Sequence, residues 1–189
     1  MNKEKYNEEK DTLTVIAKNI ITVKDFHDWG KLKVCLRKWF PNAFISKTRF
    51  RSVFVLQTQG DVKQVTQQIF RECSEFLGHT TAVLCDVESS MEDIKEAAVN
   101  IALDQIEEGE SYCFRIKKRD VPELKMSSRE IEQDIGDAIR LALRDKFGAE
   151  PRVNLDAPDI TIMAEVLGLF SSVGIRRKRW EILHRKIAE

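Results

Sequence analysis

The sequence predicts an α+β chain built as two packed units. Three observations carry this: branched, alternating stretches interleave with helical-period stretches, no repeat is visible, and turn residues punctuate the pattern at short intervals. In the first unit, residues 12–87, the order reads strand, helix, strand, strand, helix, strand, which is the split βαβ or ferredoxin-like order. A second run of strands and helices fills residues 90–180. Each unit is expected to carry its own sheet.

The elements follow in order. Residues 1–11, "MNKEKYNEEKD", form a polar leader without the apolar region of a signal peptide. "TLTVIAKN" (12–19) is rich in branched residues and reads as a strand. "DWGKLKVCLRKWF" (28–40) spaces Trp29, Leu32, Leu36, Trp39 and Phe40 for one helix face, and Pro41 ends it. Residues 43–58 read as two strands turning near Thr48–Ser52. A second helix (60–77) places Val62, Val65, Ile69, Cys73 and Phe76 on one face, with Gly78 as its stop, and "TTAVLCDV" (80–87) is a strand.

In the second unit Ser90 caps a helix over 91–106 that buries Ile94, Ala98, Ile101 and Ala102. "SYCFRIKKR" (111–119) alternates, with Tyr112, Phe114 and Ile116 on one side and Arg115, Lys117 and Arg119 on the other. "SSRE" (127–130) is a capping box opening a helix to about Phe147, closed by Gly148. Its apolar face is Ile131, Ile135, Ile139, Ala142 and Leu143. "RVNL" (152–155) is a short strand, "DAPD" a turn, "ITIMAEV" (160–166) an alternating strand, and 169–179 a further strand followed by a short amphipathic helix.

Composition excludes several classes. With 42% hydrophobic and 33% charged residues the chain can build a core and is not a disordered polyelectrolyte. No stretch approaches the roughly 20 apolar residues of a membrane span, so a cytoplasmic protein without membrane contact is expected. Four cysteines, Cys35, Cys73, Cys85 and Cys113, lack any C-x-x-C pair, and in a reducing compartment buried free thiols are the expectation. The three histidines show no metal-ligand spacing. Nucleotide-binding, zinc-hydrolase and nucleophile-elbow motifs are all missing, so neither a cofactor nor catalysis is expected. Asp156 and Asp159 flank Pro158; they read as turn chemistry rather than a carboxylate pair.

Charge is the informative feature. The total is zero, yet residues 1–110 hold 15 basic against 18 acidic side chains, and residues 111–189 hold 16 against 13. Arg115, Lys117 and Arg119 recur at every second position, a row suited to a phosphate backbone or simply a solvated strand face. Arg176, Arg177, Lys178 and Arg179 run together before Trp180, whose ring can pack on the core or stack on an unpaired base. Ser127 and Ser128 at the helix start, beside Lys125 and Arg129, offer backbone N–H groups to a phosphate.

Residues from about 90 to 180 resemble the THUMP domain, a module of RNA-modifying proteins. The matching stretches are "SYCFRIKKRD", "SSREIEQDIGDAI" with Gly136 inside the helix, and "RVNLDAPDITIMAEV". In that family a ferredoxin-like domain commonly precedes the THUMP unit. The resemblance therefore implies a ferredoxin-like domain over 1–88 and a THUMP domain with a short C-terminal helix over 89–189. It implies tRNA as partner, bound at the acceptor end and its single-stranded 3′ terminus. Lys118 and Arg119, with Ser127 and Ser128, are the positions carried over by motif, as solvent-facing contacts. Pro158 and Asp159 match but look architectural, and Gly136 is expected to allow close helix packing. The stand-alone relative that this chain looks like is the non-catalytic adaptor of a tRNA cytidine acetyltransferase. The alternatives are the RNA-binding part of a larger methyltransferase, pseudouridine synthase or thiouridine synthase, and a ferredoxin-like ligand-binding or protein-binding module without RNA.

Overall fold

A computed structural model describes residues 15–119 and 124–185. The strands are β1 (Ile16–Val23), β2 (Phe44–Lys47), β3 (Val53–Gln59), β4 (Leu77–Glu88), β5 (Ser111–Lys118), β6 (Arg152–Val153), β7 (Ile160–Val166) and β8 (Phe170–Arg177). The helices are α1 (Trp29–Trp39), α2 (Val62–Cys73), α3 (Met91–Gln105), α4 (Ser128–Phe147) and α5 (Lys178–Arg185). The leader lies outside the described residues, as do residues 12–14 of the first expected strand. That strand begins at Ile16 and runs on to Val23.

The first unit has the expected β1-α1-β2-β3-α2-β4 order, and its strands pair antiparallel as β2-β3-β1-β4. The expectation of two separate sheets is corrected. One eight-stranded sheet, β2-β3-β1-β4-β8-β7-β5-β6, runs through both halves, because β4 pairs antiparallel with β8 over Ala82–Glu88 and Phe170–Ile175. An unpaired β4 would leave a row of N–H and C=O groups next to buried Thr80, Thr81 and Ala82; β8 satisfies them. In the second half β7 pairs antiparallel with β8, and β5 pairs parallel with β7 and with the two-residue β6.

Helices α1 to α4 bury their apolar stripes on one face of this sheet, in one continuous core. Leu32 and Leu36, Ile69 and Cys73, Ile94 and Ala98, and Ile131, Ile135 and Ile139 meet Ile21, Phe54, Phe114, Ile162 and Ile175. On the opposite face a smaller cluster, Ile20, Val53 and Val83, is covered by Phe50 and Leu167, so residues of both halves also meet there.

Local signals hold at the caps. Ser90 accepts from the Asp93 N–H, Ser127 and Glu130 form both bonds of the capping box, and Gly148 takes a left-handed φ of 68° to end α4. Two readings are corrected. Gly78 is not a helix stop: α2 ends at Cys73, and Gly78 lies in β4, where a Cβ would stand 3.0 Å from the Thr22 hydroxyl. Cys35 and Cys73 are not free thiols. Helices α1 and α2 bring their Cα atoms to 5.9 Å and a disulfide joins them, while Cys85 and Cys113 are free.

Candidate nucleic-acid interface

The alternation of β5 sets the site. Tyr112, Phe114 and Ile116 face the helices and are buried, so Cys113, Arg115 and Lys117 point to the other face. That face carries a hollow of about 690 Å³ on which Arg115, Lys117, Arg176, Lys178 and His79 converge. Cys113, Thr161 and Met163 also line it, and Glu132, Asp156 and Glu181 stand among the cations. Four cations against three carboxylates leave a net positive hollow.

Its electrostatic centre is a buried carboxylate. Glu165 on β7 is 1% exposed; one oxygen accepts from Arg119 Nη1 at 2.6 Å, the other from Arg176 Nη2 at 2.8 Å. Arg176 Nε also donates to the Thr81 hydroxyl of β4 at 2.9 Å. Two guanidinium groups thus share one carboxylate, and the surplus positive charge sits where three strands of both halves meet. Burial pulls the Arg176 guanidinium down from its usual range, with Glu165 opposing. His79 feels the same field: burial, then Arg176 and Lys117, hold its imidazole below the usual value, so it is neutral near pH 7.

The structure separates the residues that the sequence grouped. Arg115 is ion-paired with Glu132 at 3.0 Å and donates to the Leu155 carbonyl at 2.7 Å. Lys117 is exposed. Lys118 is not a solvent-facing contact. Its ammonium donates to the Leu124 and Met126 carbonyls at 2.6 and 2.5 Å and fixes the chain entering α4. Arg119 is likewise drawn inward, to Glu165. Lys125, Ser127, Ser128 and Arg129 are exposed at the α4 start, but the capping box already engages the Ser127 N–H and hydroxyl with Glu130.

The cationic run at 176–179 is not one patch. Strand alternation sends Arg176 to the hollow and Arg177 inward, where it is 3% exposed, pairs with Glu110 at 2.5 Å and donates to the Gln105 carbonyl. Arg177 as an RNA contact is therefore corrected: its charge ties β8 to the end of α3. Trp180 is corrected too. It is 2% exposed within the main core, so its ring is not available to a base. Lys178 and Arg179 remain exposed. Asp159 accepts from the N–H and hydroxyl of Ser111 at 2.9 and 2.6 Å, which holds its carboxyl below the usual range and makes it a brace between β5 and β7.

Sequence reasoning missed His79, Thr81 and Glu165. The first two belong to the other half of the chain, and Glu165 sits in an apolar alternation that gives no hint of its two arginines. Gly136 does not serve close helix packing: among the described residues, no atom beyond its chain neighbours and its own helix backbone lies within 4 Å of where its Cβ would stand.

Residues 88–175 match the family model of the THUMP domain. No curated protein matches the chain in sequence. Several solved structures share the fold. PH1313 from Pyrococcus horikoshii Ot3 superposes with a TM-score of 0.57 at 16% identity, over 85% of this chain and 54% of that one. TrmN from Thermus thermophilus gives 0.57 at 18%, over 86% and 46%. A 4-thiouridine synthetase solved as an RNA complex with bound ATP gives 0.60 at 15%, over 86% and 42%. The chain thus spans about half, or less, of the length of these structures.

Proposed function

We propose that this chain, through the THUMP domain at residues 88–175, binds tRNA at the acceptor end and its single-stranded 3′ terminus, as a non-catalytic adaptor. It would present the RNA to a modifying enzyme, a cytidine acetyltransferase by resemblance. The observation that carries the reading is the convergence of Arg115, Lys117, Arg176 and Lys178 on one hollow, around a carboxylate outnumbered by its guanidinium partners. A polyanion needs repeated charge on one surface, and a net neutral chain keeps attraction elsewhere weak.

A second reading is favoured by length. Because the chain spans 54%, 46% and 42% of three structures sharing its fold, it can equally be the RNA-binding part of a larger tRNA-modifying enzyme. Purification from the native cell with mass spectrometry of bound protein and RNA separates the two: a separate acetyltransferase-like partner supports the adaptor, a longer polypeptide the enzyme part. The shared RNA reading is tested by fluorescence anisotropy with intact tRNA and with tRNA lacking the unpaired 3′ nucleotides. Salt-dependent binding that weakens on truncation is expected. Absence of tRNA binding at low salt would leave only the reading of a ligand-binding or protein-binding module.

A further inference from the structure

We infer that the cavity between the open edge of β5 and helix α4 is a slot for one unstacked nucleobase of the bound RNA; this rests on the RNA-binding reading above. The cavity holds about 360 Å³ and adjoins the cationic hollow, with Cys113, Arg115, Glu132 and Leu155 lining both.

The edge itself is open for one residue. β6 pairs with β5 at Ser111 and Tyr112, and the Tyr112 carbonyl accepts from the Asn154 N–H at 2.9 Å. Further along β5, the Ile116 N–H donates to Glu132 Oε1 of α4 at 3.0 Å. Alternate residues of a strand present their amides to the same edge, so Phe114, between these two closures, turns its N–H and C=O to the side where no strand stands among the described residues. Phe114 lines the cavity. An adjacent donor and acceptor is what the Watson–Crick edge of an unpaired base offers in return.

The walls fit a planar group. Gly136 of α4 lines the cavity and leaves open space where a side chain would be, in a helix interior where glycine costs about 1 kcal/mol relative to alanine. No close packing accounts for that glycine; room for an occupant does. Arg115 and Arg140 also line the cavity, their guanidinium groups held by Glu132 and by Glu150, and a fixed guanidinium plane is a stacking platform for a base. Val153 and Leu155 add an exposed apolar lip. Tyr112 lines the cavity as well, and its hydroxyl is buried without a hydrogen-bond partner among the described residues. A peptide strand is the poorer occupant, since strand addition needs several consecutive edge amides and this window is one residue wide.

The test uses a fluorescein-labelled RNA hairpin with a four-nucleotide single-stranded 3′ extension, and four versions with one abasic position each. For the wild-type chain one abasic position is expected to weaken binding on the order of tenfold. Gly136→Leu fills the slot and gains helix propensity, so it should melt no lower than wild type. It should bind the intact RNA on the order of tenfold more weakly, respond no further to that abasic position, and keep the wild-type salt slope, because the phosphates stay neutralised as before. Gly136→Ala, a single methyl in open space, should fold and show a smaller loss. Wild-type binding indifferent to all four abasic positions overturns the slot, as does unchanged affinity of a folded Gly136→Leu. RNA binding that is salt-dependent yet indifferent to these changes sinks the slot alone, whereas no RNA binding at all sinks the functional reading with it.

Discussion

Single residues in this chain are sorted by the parity of the strand that carries them. Arg176 and Arg177 are neighbours, yet one faces the hollow and the other is buried against Glu110 and Gln105. Trp180 follows in α5 and is core. Trp180→Ala should therefore destabilise the fold by about 3–5 kcal/mol, as truncation of a buried aromatic does. Chemical denaturation measures it, and a variant with wild-type stability and weaker RNA binding would restore the stacking role that burial denies. His79 makes a second residue-scale prediction. Its imidazole is held low by burial and by Arg176 and Lys117. A phosphate in the hollow offsets those cations, so the complex should show a raised pKa by NMR titration. Binding then takes up a proton, and affinity should fall as pH rises through the interval between the free and bound values. An unchanged His79 titration in saturating RNA would place the ligand elsewhere.

At the level of elements, the junction of β4 and β8 makes the two halves one sheet. Gly174 of β8 is what permits it. A Cβ there would stand 2.0 Å from the Ala82 carbonyl oxygen and 2.8 Å from the Val83 Cα, both backbone atoms that cannot swing aside. Gly174→Ala should thus cost at least about 1–3 kcal/mol, the range of overpacked cores, by parting the strands near the Thr81–Arg176 contact. Equal melting temperatures for Gly174→Ala and wild type would refute this account of the junction. The same junction reaches the second-half cations. Arg119, just past β5, and Arg176 of β8 flank Glu165 because β8, β7 and β5 lie side by side, and the junction adds the Thr81 hydroxyl of β4 to Arg176.

For the whole molecule, the positive lean of residues 111–189 matters through the few cations that stay at the surface of the hollow. Lys118, Arg119 and Arg177 are committed to internal partners, so a variant that removes them confounds folding with binding. Lys117 and Lys178 are exposed and line the hollow. Lys117→Ala with Lys178→Ala should leave stability within about 0.5 kcal/mol, since both are surface positions. The slope of log K against log salt for tRNA should fall by about 0.7 for each phosphate that the variant no longer neutralises. A folded double variant with the wild-type slope would remove the hollow as the phosphate surface.

Sequence alone determined the local features of this protein. The inward side of β5 was legible because Tyr112, Phe114 and Ile116 alternate with charge, and the start and end of α4 were legible because a capping box and a C-terminal glycine satisfy backbone groups within a few residues. The β1-α1-β2-β3-α2-β4 order was legible for the same reason. Tertiary structure decided everything that depends on which element lies beside which. Periodicity tells which side of a strand meets the core, but not what covers the other side or which edge finds a partner. The Cys35–Cys73 bond, the β4–β8 pairing, the inward turn of Arg177 and the two arginines on Glu165 each join residues through space rather than through a local pattern. A basic run reads as one patch in sequence; alternation and packing leave only its outward members to meet a polyanion.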